Sequence, residues 1–183
     1  MDVMKAIKER RSIRKYKPDP IFDSDLKEIL EAARWAPSWA NTQCWEFIVV
    51  KNPETKKKLA ETLPSGNPAF FSFTEVPIVI VACAQLGKAG FYKGKAGTDK
   101  GDWYMFDVAL ATHNLTLTAH AKGLGTVHVG FFDAKKVAQI LEVPKGIVVV
   151  EMIPLGYPTE EAKVTSRKEL HEFISYEKFG NRQ

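Results

Sequence analysis

Two uninterrupted apolar runs, Val76 to Ala84 and Gly146 to Leu155, constrain the fold more than any other feature of the sequence. Each is far shorter than the roughly 20 residues needed to cross a bilayer, yet too apolar to lie on a wet surface. Runs of this length without two-residue alternation read as strands buried on both faces, which calls for helices on either side of one sheet. Residues 102 to 122 are apolar nearly all round, with Gly123 placed to end them; they predict the longest helix, a central core element. Leu26, Ile29, Leu30 and Ala33 form an apolar stripe over Ser24 to Trp35, stopped by Pro37. Asn52-Pro53-Glu54 supplies a cap, a first-turn proline and a first-turn acid for a helix to about Leu63. Asp2 and Asp133 cap two shorter helices, the second through about Leu141, and a further helical stretch is expected from Lys168 to Ile174. Glu46 to Lys51 and Thr126 to Val129 complete the strands, while residues 86–102 read as a surface loop. The class is α+β, a mixed sheet covered by helices. No repeat, low-complexity tract or linker divides the chain, so residues 1–183 are expected to form one domain.

Charge narrows the function. The net charge is +4, and residues 1–20, with seven Lys/Arg against three Asp/Glu, carry all of it. A cation excess confined to Arg10, Arg11, Arg14, Lys15 and Lys17 suits one anionic ligand better than a nucleic acid, which needs a basic face. The N-terminus lacks the apolar stretch of a secretory signal, so a cytoplasmic setting with Cys44 and Cys83 as free thiols is expected, and no membrane partner. Cys44 has no neighbouring His or second Cys to activate it and is read as structural. His113 and His120 stand about 10 Å apart on the long helix, too far to share a metal, and with His128 and His171 they read as ordinary core or surface residues. No nucleophile–base set or carboxylate pair is visible, as befits chemistry carried by a bound cofactor.

Three segments remain. Arg10-Arg11-Ser12-Ile13-Arg14 leaves a helix end ahead of Pro18 and Pro20, and arginine forks with a serine hydroxyl suit phosphate oxygens, although a solvated charge run has the same composition. Ala36-Pro37-Ser38-Trp39-Ala40-Asn41-Thr42-Gln43-Cys44-Trp45 offers amides able to read the edge of a heterocycle and rings able to stack on it; a polar turn with two core tryptophans reads equally well. Gly123-Leu124-Gly125-Thr126 is no dinucleotide fingerprint, because a glycine is missing and the order is helix before strand. Gly90 to Ala96 has the wrong spacing for a phosphate loop.

Taken in order, with Gly130-Phe131, Leu155-Gly156-Tyr157-Pro158 and Ser166-Arg167-Lys168, these segments resemble the FMN-dependent nitroreductase family. The resemblance implies a three-layer α-β-α fold and a homodimer whose C-terminal segment wraps the partner, with flavin sites at the interface. It implies tightly bound FMN, NAD(P)H as co-substrate, and a nitroaromatic, quinone or similar flat acceptor reduced by a ping-pong mechanism. Arg10, Arg11 and Ser12 would hold the FMN phosphate, with Arg167 and Lys168 reaching it from the C-terminal segment. Arg14 would lie at the pyrimidine end of the ring, and the backbone of Gly130 and Phe131 near flavin N5. Pro37, Ser38, Asn41 and Gln43 would contact the flavin held mainly by the partner. No side chain is expected to act as a catalytic acid or base. Departures from the family pattern are Cys44 for a common proline, Phe131 for a common glycine, and Thr165 for a lysine. Dehalogenation, flavin fragmentation or dehydrogenation on the same fold, or flavin carriage without turnover, are the alternatives.

Overall fold

A computed structural model describes residues 1–160 and 162–182. Helix α1 (Val3–Glu9) begins where the Asp2 carboxylate accepts the Lys5 N–H, and α2 (Asp23–Arg34) carries acids in its first turn and Arg34 in its last. Strand β1 (Trp45–Val50) leads into α3 (Pro53–Ala60), capped by Asn52 as its sequence predicts but ending a turn before Leu63. A short helix that the sequence did not signal, α4 (Phe70–Glu75), precedes β2 (Ile78–Gln85). The surface loop that follows contains a two-stranded hairpin, β3 (Phe91–Tyr92) and β4 (Lys95–Ala96). Then come the 18-residue α5 (Tyr104–Ala121), β5 (Gly125–Thr126), α6 (Ala134–Ile140) capped by Asp133, and β6 (Ile147–Gly156).

The sheet order is β1-β2-β6-β5, and each of these neighbours is antiparallel. The parallel component of the mixed sheet is a bridge between Ser12 and Thr126. Alternation along β2 sorts the core into two layers. Ile78 and Ile80 face Ile29, Ala33, Leu115 and Ala119 of α2 and α5. Val79 and Val81 face Leu59, Phe73 and Val137 of α3, α4 and α6. Helices therefore cover both faces of one sheet, the three-layer arrangement.

Three expectations are corrected. The strand over Thr126 to Val129 shrinks to β5 plus an isolated bridge from Val129 to Met152. The helix near Lys168 to Ile174 is one 3₁₀ turn, Leu170–Glu172, closed by reciprocal bonds between Glu169 and Glu172. Its apolar side chains have no layer to pack on, with Leu170 and Phe173 both exposed, and a short helix owes its stability to such packing. Finally, α5 is not buried all round. It packs on α2 and the sheet but leaves Met105, Phe106, Ala109 and His113 exposed along one face.

Candidate functional site

The basic segment is held as a strand-like ribbon at the edge of the sheet. Ile13 N–H donates to the Thr126 carbonyl (2.9 Å), Lys17 N–H to Tyr157 (2.8 Å), and Thr159 N–H to Lys15 (3.2 Å). On its inner side the buried Tyr16 hydroxyl donates to the Ile13 carbonyl (2.6 Å), and Ser72 of α4 donates to the Arg14 carbonyl (2.7 Å). Two motif glycines make this close packing possible. A Cβ at Gly125 would lie 2.7 Å from Ile13 Cγ1, and one at Gly156 would lie 2.9 Å from Val76 and Pro77. Gly125, against Ile13, and Gly156, with Tyr16 Cδ1 3.2 Å from a Cβ built there, thus admit the basic ribbon rather than a phosphate loop.

A cavity of about 750 Å³ opens beside the ribbon at the C-terminal end of α5, bordered by Glu9, Arg10, Arg11, His120, Gly123 and Thr126. Arg10 Nη1, Arg11 Nε and His120 Nε2 are fully buried and make no hydrogen bond among the described residues. A buried donor left without a partner costs about 1–3 kcal/mol, more when charged, so three around one cavity describe a place for an acceptor the protein itself does not provide. Burial, and then the neighbouring charges of Arg11 and Arg167, push Arg10 below its ordinary value. Cations crowded together in this way favour an anion beside them, although Glu9 and Glu160 also border the cavity. Arg167 is therefore near Arg10, though its Nη1 is turned onto Thr165 Oγ1 (2.7 Å) and the Ser166 carbonyl (3.0 Å). Lys168 is exposed and borders neither this cavity nor its neighbour.

That second cavity, about 780 Å³, runs along the ribbon past Ser12, Arg14, Phe71, Glu75 and Lys163. Ile13 and Thr159 border both cavities, so the two adjoin along the ribbon, with Arg10 and Arg11 on the first and Arg14, Lys15 and Lys163 on the second. Gly130 lies four residues beyond the Ser12–Thr126 bridge, within about 14 Å along the backbone. It borders a third, shallower groove on α5 with Met105, Phe106, His113 and His128, whose Nδ1 pairs with Glu151 (2.7 Å). Phe131 projects outward, 75% exposed, and so does not plug either cavity.

The other candidate residues gather at the opposite end of α5. Pro37, Asn41 and Gln43 are exposed on a tight turn in which Ala40, Asn41 and Gln43 all adopt positive φ (44°, 57° and 46°). Such backbone is unfavourable for residues other than glycine, so something must hold it. Ser38 Oγ accepts the Gln43 N–H (3.0 Å), and Asp107, completely buried, accepts the Trp39 N–H with both carboxylate oxygens (3.0 and 3.1 Å) and the Thr42 hydroxyl (3.4 Å). Cys44 Sγ sits 3.8 Å from the same carboxylate. Burial and that carboxylate push the thiol up to about 11, which rules out a thiolate nucleophile near neutral pH. Asp107 escaped the sequence reading, yet the signal was present: it is the one Asp, Glu, Lys or Arg between Tyr104 and Ala121. Asp107 and His120 are 13 residues apart, so the turn and the cationic cavity lie about 20 Å from each other along the helix.

This arrangement has close counterparts. Residues 7–69 and 65–157 match the model of the Nitroreductase family. An Archaeoglobus fulgidus protein whose name pairs NADH dehydrogenase with NAD(P)H nitroreductase is 35% identical over 164 residues, 87% of each chain. A nitroreductase family protein from Clostridium novyi superposes with a TM-score of 0.79 at 30% identity, over 100% of this chain and 97% of the other. An FMN-dependent nitroreductase from Clostridium difficile gives 0.80 at 28%, over 96% and 99%. The fold and these likenesses define an oxidoreductase of the three-layer α+β kind. The chain belongs to the Nitroreductase family.

Proposed function

We propose that the chain works as a homodimer that binds FMN and passes hydride from NAD(P)H to a nitroaromatic, quinone or similar flat acceptor in ping-pong order. The observation that carries this reading is the pair of buried Arg10 and Arg11 nitrogens, without a partner among the described residues, on two adjoining cavities of about 750 and 780 Å³. The donor set fits a phosphate monoester, whose oxygens accept from guanidinium forks. Arg10, Arg11 and Ser12 hold the phosphate. Arg167 completes that end by turning from its own backbone toward Arg10. Lys163, rather than Lys168, supplies the further lysine. Arg14 sets a cation beside the ring, where it favours electron density at the pyrimidine end. The backbone of Gly130 and Phe131 lines the ring's reactive edge. When bound, FMN supplies the two-electron chemistry, and no side chain need act as acid or base.

The two ends of α5 support the dimer. One chain cannot bring its Pro37–Gln43 turn to its own cationic cavity, because about 20 Å of helix separates them. A two-fold axis near the middle of α5 sets the turn of one subunit beside the cavity of the other and covers Met105, Phe106 and Ala109. Exposed Phe173, Tyr176 and Phe179 in the C-terminal segment then find cover on the partner.

The test is steady-state oxidation of NADH and of NADPH by the FMN-loaded protein, with menadione or a nitrofuran as acceptor. Parallel double-reciprocal lines are expected, and Arg14→Ala should lower kcat/KM by about 10–100-fold. Oxidation of neither nucleotide with either acceptor would overturn the reading.

A further inference from the structure

Arginines and a serine account for the phosphate site as the family resemblance implies it. They leave His120 unexplained. This residue sits in the last turn of α5 and borders the cationic cavity, and its Nε2 is fully buried without a hydrogen-bond partner among the described residues. Ordinary core packing does not explain the position, because an imidazole nitrogen sealed from water and left unbonded is unfavourable. The orphaned nitrogens of Arg10 and Arg11 border the same cavity. The end of α5 does not use them, since its last carbonyls accept from the Lys122, Gly123 and Leu124 N–H groups. The residues that carry these three nitrogens thus come from two separate parts of the chain and border one cavity.

We propose that His120 is a further ligand of the flavin nucleotide phosphate, donating Nε2–H to a phosphate oxygen opposite Arg10 and Arg11. This rests on the FMN reading above and assigns a residue to that site. The charged groups facing the imidazole are Glu9, at the end of α1, and Arg10 and Arg11 just after it. Burial and the two arginines hold it below its ordinary value against the opposing pull of Glu9, so the free protein keeps a neutral ring. A neutral ring leaves the arginines undisturbed before the anion arrives. Once a dianion lies among them, protonation is favoured too, and a cation at the C-terminal pole of α5 complements the helix dipole.

The experiment compares FMN with riboflavin, which differ only in the phosphate, by titration of the apo-protein with fluorescence readout. Wild type, His120→Ala and His120→Gln are each measured with both. In His120→Ala the Kd for FMN should rise about 10–100-fold, the range for a hydrogen bond to a charged group, while that for riboflavin stays within about twofold. His120→Gln, which keeps a donor near the Nε2 position, should recover most of the loss. Inorganic phosphate provides a second readout: it should raise the melting temperature of the wild-type apo-protein and raise that of His120→Ala less. Equal weakening toward FMN and riboflavin, or no weakening, would overturn the role of His120 and leave the flavin reading standing. A wild-type chain that binds neither flavin would overturn both.

Discussion

At the scale of single residues, the site depends on groups whose importance lies in what they hold. Asp107 fixes three residues of positive φ by accepting from the Trp39 backbone and Thr42. Asp107→Ala should cost about 2–3 kcal/mol in thermal or urea unfolding, because buried donors lose a charged acceptor. It should also weaken FMN binding if, as proposed, the turn it releases serves the partner's site. Gly125 is as constrained: Gly125→Ala forces Ile13 away from β5 at an expected cost of about 1–3 kcal/mol, with FMN affinity falling alongside. The thiols give a check that needs no mutation. Burial, joined by Asp107 beside Cys44 and Glu46 beside Cys83, pushes both up to about 11. A thiol reagent at pH 8 should leave both unlabelled in the folded protein and label both in denaturant; rapid labelling of the native chain would contradict their placement. Gly125 and Arg10 stood out in the sequence, through motif and charge respectively. Asp107 did not, since no local pattern shows that a helix residue reaches a turn 65 residues earlier.

At the scale of elements, legibility followed capping and periodicity. The Asp2, Asn52 and Asp133 caps marked their helices because each carboxylate or amide accepts from the first turn. Helix α4 carried no cap and lies between Pro68 and Pro77, so nothing local announced it, although its Ser72 anchors the Arg14 carbonyl. The helix expected after Lys168 failed for the opposite reason: its pattern was legible but its packing surface is not in the protomer. Helix α5 joins the two cases. Its all-round apolar composition predicted burial, and Met105, Phe106 and Ala109 are instead exposed, which is where the proposed dimer would cover them. Ala109→Arg should shift the protein from dimer to monomer in sedimentation and reduce FMN affinity. A variant that stays dimeric with full affinity would place the interface elsewhere.

At the scale of the whole molecule, two helical layers and the sheet between them frame the site. The sheet and its covering helices place a basic ribbon on one edge, α5 separates that ribbon from the turn at Asp107, and two-fold symmetry would reunite them. The sequence carried the layers and the cations, but not the 20 Å separation, which exists only once α5 is a helix of about that length. The most direct measurement is the visible absorption spectrum of the purified protein, with heat release and identification of any chromophore. A yellow protein that releases about one FMN per chain is expected, with loss of colour in Arg10→Ala. A colourless protein that stays colourless after incubation with FMN would contradict the FMN reading.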